Sequence, residues 1–152
     1  HGDLRELGLS GYRIQDPVTV LVTGAGAGVG QSIIKALKLS PVPLRILTAD
    51  ASALAAGLYA GDAAFLIPPH TDSRFVARIT SICKKENIDL IFPGTDVELD
   101  VLAKSASSIK KESGGTVVVS SARAIRIADD KWATVQFLKQ NIYQNAVLQN
   151  NL

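Results

Sequence analysis

Thr23-Gly24-Ala25-Gly26-Ala27-Gly28-Val29-Gly30 is the stretch of this sequence best suited to chemistry. Glycines among small residues permit a tight turn and let a ligand approach backbone N–H groups. A helix beginning there adds the partial positive charge of its N-terminus. Such a turn favours phosphate or carboxylate. It is not a G-x-x-x-x-G-K phosphate loop, because Gln31 stands where the lysine would be, and G-x-G-x-x-G read from Gly24 meets Val29 at its third glycine. The same glycines would also serve close packing of a strand on a helix with no ligand at all.

Three acids form a second group. Asp50 follows the glycines by about 20 residues, where dinucleotide folds hold a ribose hydroxyl; an aspartate that closes a turn is the competing explanation. In Pro93-Gly94-Thr95-Asp96-Val97-Glu98, Thr95 and Glu98 have the spacing of a helix capping box, which would satisfy backbone donors and no more. Asp96 is not consumed by that box, although an acid in a first turn also suits the helix dipole. Carboxylates near the glycine turn can receive a cationic or hydroxyl-bearing group of a substrate. Lys131, after Asp129-Asp130, is by itself a solvated lysine. Cys83 and Trp132 read as packing residues. With one cysteine and only His1 and His70 as imidazoles, neither a disulfide nor a metal site is expected.

The elements that must carry these groups alternate. Pro17–Thr23 is a β-branched run without polar alternation, as a strand buried on both faces requires. After the glycines, Ile33, Ile34, Leu37 and Leu39 form the stripe of a helix that stops near Ser40-Pro41. Strands are expected at 44–49, 63–67, 89–92 and 116–119. A helix from about Asp72 turns Phe75, Ile79, Ile82 and Cys83 inward, and one long helix carries Leu99, Leu102, Ala103, Ala106 and Ile109 up to Gly114-Gly115. A short helix at 124–127 and a last one at 130–140 complete the pattern. Alternation of this kind predicts right-handed crossovers and a Rossmann-like α/β fold, a mostly parallel sheet of about five strands between helical layers. The domain is expected at 17–140. Residues 1–16 read as an irregular lead-in, or the remnant of a tag or of processing, since the chain has no methionine, and 141–152 as an irregular Asn/Gln-rich tail.

Composition narrows the classes. The chain has 152 residues, 47% hydrophobic and 20% charged, with 16 Lys+Arg against 14 Asp+Glu. That is one folding domain and not a disordered segment. A net charge of +2, without a basic stripe, speaks against nucleic acid. The chain carries no apolar run near the roughly 20 residues of a membrane span and no signal-like start, so a cytoplasmic, reducing location is the expectation.

With these residues in place, the chain from about Val18 to Gln140 resembles the pre-ATP-grasp domain that precedes the catalytic lobes of ATP-grasp ligases, above all the carbamoyl-phosphate-synthase-like group. The resemblance is carried by LVTGAGAGVGQSIIKALK, ASALAAGLYAGDAAFLIPP, ICKKENIDLIFPGTDVELDVLA and VVVSSARAIRIADDKWATVQFLK together. It implies that the glycine turn, Gly24 to Gly30, and the loop Gly94, Thr95, Asp96 and Glu98 border the substrate side of an active site. It implies ATP and magnesium only for a complete ATP-grasp protein, where Lys131 looks like a lysine that reaches ATP phosphates. The partners it implies are an ATP-grasp lobe, in cis or in trans, a small-molecule substrate and a possible second copy. The lobe that holds nucleotide and metal is not within these 152 residues, so the chain alone is expected to be non-catalytic. The competing function is an NAD(P)-binding, short-chain-dehydrogenase-like domain, favoured by Thr23-Gly24-x-x-x-Gly28-x-Gly30 and Asp50. Its Tyr-x-x-x-Lys pair has no counterpart, since Asp16, Ala63 and Val147 follow Tyr12, Tyr59 and Tyr143 by four.

Overall fold

The structure, a computed structural model, describes residues 17–118. The elements follow one another as β1 (Val18–Val22), α1 (Gly28–Lys38), β2 (Leu44–Asp50), a 3-10 turn (Ala56–Tyr59), β3 (Ala63–Leu66), α2 (Phe75–Glu86), β4 (Leu90–Phe92), α3 (Asp96–Lys104), α4 (Ala106–Ser113) and β5 (Thr116–Val117). All strand pairs are parallel and the order across the sheet is β3-β2-β1-β4-β5. This is the α/β, Rossmann-like arrangement that the alternating pattern predicts. The fifth strand, expected over 116–119, ends at Val117, and the lead-in, residue 119, both helices expected after it, Lys131 and the tail lie outside the described residues.

Parallel pairing explains the strand sequences. β1 is buried along its whole length, so VTVLV shows no polar alternation. Its side chains feed two separate cores. Val18, Val20 and Val22 meet Ile33, Ile34 and Leu37 of α1 on one face, together with Leu90 and Phe92 of β4. On the other face Leu21, Leu47 and Ile91 meet Phe75, Ile79, Ile82 and Cys83 of α2, Leu102 of α3 and Ile109 of α4. Burial pushes the Cys83 thiol up to about 12, against a weaker opposing hydrogen bond with Ser113, so it is an inert packing group.

Three departures from the sequence reading have local causes. α2 begins at Phe75, not near Asp72, because Asp72 accepts from the Arg74 amide at 2.8 Å and forms a turn ahead of the helix. The single long helix after β4 is two. At Ser105 the backbone leaves helical geometry and its N–H donates back to Leu102 O at 3.2 Å, while Ser105 O starts α4 by accepting from Ile109 N. The 3-10 turn at 56–59 falls in a stretch of small residues without period. Among the described residues no helix is long and apolar enough to cross a membrane.

Candidate functional site

β1 lies between β2 and β4, and its crossover to β2 runs through α1 on one face. The crossover from β3 to β4 runs through α2 on the other. Crossovers that diverge from one strand pair leave a crevice at the carboxyl ends of those strands, here β1 and β4. The two segments singled out in the sequence, Gly24–Gly30 and Gly94–Glu98, are the chain leaving those two ends.

They interlock closely. Thr23 N donates to Phe92 O at 3.0 Å, continuing the sheet by one rung. A Cβ on Gly94 would fall 2.2 Å from Thr23 O and 2.8 Å from Gly24 O, so only glycine lets the two backbones pass. Gly24 has φ +54°, and a Cβ there would stand 2.7 Å from Glu98 Oε2 and 2.8 Å from Thr95 Cγ2. At these positions the glycines serve protein against protein. Gly28 differs: it is exposed, and a Cβ there would meet nothing within 4 Å.

Following the amides shows where the turn is closed and where it is open. Ala25 N donates to Ala49 O at 3.2 Å, Gly26 N to Asp50 Oδ2 at 2.8 Å, and Ala27 N to Gly24 O at 3.0 Å. Gln31 N begins the helical ladder on Ala27 O, and the Gln31 side chain donates to Gly26 O at 2.9 Å, bracing the turn from the helix side. Between these, the amides of Gly28, Val29 and Gly30 are the N-terminal donors that a helix cannot satisfy from within; Gly28 is exposed, Val29 half-buried and Gly30 buried against Gly24. Ala27 at the N-cap supplies no side-chain acceptor, and the first turn of α1 has no acid. α3, across the crevice, is answered from its own sequence: Thr95 Oγ1 accepts from Glu98 N at 3.2 Å, and Asp96 and Glu98 stand in its first turn.

The acids divide by role. Asp50 does close a turn: Oδ2 takes the Gly26 amide and Oδ1 the Ser52 amide at 2.9 Å. Ala55 is so near that a Cβ on Gly26 would fall 2.7 Å from its own Cβ, and Gly57 lies against Ala25 O. Residues 52–57 therefore lie along the Asp50 side of the turn. The capping box is half made. Thr95 caps Glu98, but the Glu98 carboxylate turns away to accept from Thr23 Oγ1 at 2.9 Å, and Glu98 is only 6% exposed. Burial raises the pKa of Glu98. The Thr23 hydroxyl opposes that shift, the Asp50 charge adds to it, and the Thr95 hydroxyl and His70 pull the other way. Asp96 is exposed at the rim. Among the described residues no group of three or more His, Cys, Asp or Glu side chains could hold a metal ion.

Sequence spacing thus brings together Gly24–Gly30, Asp50 and Gly94–Glu98 and leaves Lys131 outside the described residues. It misses Thr23 as the partner of Glu98, 75 positions away, and His70, whose charge reaches Glu98 from the segment after β3. Nothing in a single sequence links residues so far apart.

A parallel sheet whose crossovers diverge at β1 and β4, with helices on both faces, defines an α/β domain of the Rossmann-like class. Residues 20–119, well over half of the chain, match the family model described as PylC-like, N-terminal domain, and the chain belongs to that family. It is thereby a pre-ATP-grasp domain of the ATP-grasp ligases, which implies an ATP-grasp lobe as its partner. No curated protein matches the chain individually.

Proposed function

We propose that this domain forms the substrate side of an ATP-dependent carboxylate–amine ligase of the carbamoyl-phosphate-synthase-like kind, supplying substrate contacts and interdomain packing and catalysing nothing alone. The uncapped, acid-free N-terminus of α1 at the switch point carries this reading. Its amides suit a phosphate or carboxylate end of a small substrate. The exposed carboxylate of Asp96, at the start of α3 across the crevice, suits a cationic or hydroxyl-bearing end. In this reading nucleotide and magnesium are held by the partner lobe, as the resemblance to ATP-grasp ligases implies. The domain spans residues 17–140 in this reading and works in the cytoplasm.

The dinucleotide alternative would use Asp50 for a ribose. Both oxygens of that carboxylate already accept protein amides, which favours the ligase reading. Isothermal titration of the chain with ATP, with and without magnesium, tests the division of labour. The expected result is no micromolar binding in either condition; micromolar, magnesium-dependent affinity overturns it. A parallel NADH titration followed by fluorescence is expected to show no saturation.

A further inference from the structure

Glu98 is the one acid among the buried residues described, and none of the ion pairs in this part of the chain involves it. A carboxyl group withdrawn from water outside any close ion pair is costly, so its position calls for a compensating role. Its contacts span the switch point. Oε2 accepts from Thr23 Oγ1 at the end of β1 and stands 2.7 Å from where a Gly24 Cβ would be, while the backbone of Glu98 is fixed by Thr95 in the first turn of α3. Gly24 in turn accepts from Ala27 N, the residue immediately before α1. One unbroken series of contacts therefore runs from Glu98 through Thr23 and Gly24 to the helix whose first turn has no capping side chain.

We propose that Glu98 is a positioning residue: it sets the path of the Gly24 turn, and through the Gly24–Ala27 hydrogen bond the direction in which the amides of Gly28, Val29 and Gly30 face the crevice. This refines the proposed function, which treats those amides as the ligand face, by giving Glu98 no contact with ligand. The groups around its carboxyl are uncharged Thr23 just after β1, Asp50 from the end of β2, His70 from the segment after β3, and Thr95 from its own loop; Asp96 near it in sequence is exposed. Because burial dominates, Glu98 keeps its proton to higher pH than an ordinary glutamate, and the turn should report that titration.

The test is an amide ¹H–¹⁵N correlation spectrum of the whole chain without ligand. Glu98→Ala is expected to move the resonances of Gly24, Ala27 and Gly28–Gly30 and leave those of Ile109 and Val117 in place. Glu98→Gln, which keeps an acceptor for Thr23, is expected to return them towards the parent positions. The Gly24 amide should titrate in the parent above the usual glutamate range and not in Glu98→Gln. Unmoved turn amides in Glu98→Ala, displacement in Glu98→Gln as large as in Glu98→Ala, or a Gly24 amide that does not titrate would each overturn the proposal. Should Glu98→Ala fail to fold, Thr23→Val removes the same bond at nearly constant volume, and unmoved turn amides there overturn it equally. None of these readings needs a ligand. If the amides move as expected yet inorganic phosphate leaves the parent spectrum unchanged, the proposed function fails and the positioning role stands.

Discussion

The two edges of the sheet use the same device to different ends. At the amino edge, acids close the strand starts: Asp89 Oδ2 accepts from Thr19 N at 2.9 Å and Asp62 Oδ2 from Ile46 N at 2.7 Å. Arg45 pairs with Glu86 at 2.7 Å, and Lys110 donates to Gly114 O and Thr116 Oγ1. At the carboxyl edge the same closure stops partway. Asp50 takes the Gly26 amide, and the next donors, at the head of α1, have neither a capping side chain nor an acid in the helix's own first turn. Closure at one edge is architecture. Its interruption at the other coincides with the switch point, where this fold class binds ligands.

The largest effect that would sharpen this contrast lies between two glycines. Gly94→Ala drives a methyl group into the backbone carbonyls of Thr23 and Gly24, neither of which can move cheaply, and is expected to cost about 3 kcal/mol or more in urea unfolding. Gly28→Ala meets open space in a helix and is expected to be neutral or to stabilise by up to about 1 kcal/mol. Equal costs at the two positions would contradict the division between packing and open glycines.

Next comes the amino edge. Asp89→Ala leaves the Thr19 amide without its acceptor, and about 1–3 kcal/mol should be lost while the amide resonances of residues 24–30 stay in place. Asp50→Ala removes the acceptor of Gly26 and Ser52 and should shift the turn resonances. A silent turn in Asp50→Ala would mean that the carboxylate does not hold it.

The smallest effects concern pH. Burial is the leading cause that raises the pKa of both Glu98 and Asp89. The folded protein therefore keeps these protons to higher pH than the unfolded chain does. Their contribution is full below the ordinary carboxylate range and declines as pH rises through the raised values. Unfolding midpoints measured from pH 4 to pH 8 should fall less steeply in Glu98→Gln than in the parent; an unchanged slope would mean that Glu98 titrates like a solvated acid.

Much of this was legible in the residues. A continuous β-branched run gave β1 because burial on both faces removes polar alternation, and the glycine turn gave the start of α1. The break at Ser105 was hidden, since Leu102 and Ile109 are seven residues apart and keep one apolar stripe across the kink. The 3-10 turn at 56–59 was hidden for a different reason. What places it is Gly57 lying against Ala25 O, a tertiary contact without local signal. At the site, the capping-box spacing pointed to Thr95 and Glu98 correctly for the backbone, but the side chain of Glu98 follows Thr23, which only the fold brings near.

Titration of the ¹⁵N-labelled chain with millimolar inorganic phosphate addresses the open amide end directly. Selective, saturable shifts at Gly28, Val29 and Gly30, with Thr19 and Ile46 unmoved, are the predicted result. A spectrum in which those three amides stay fixed, or move no more than the amino-edge amides, would contradict it.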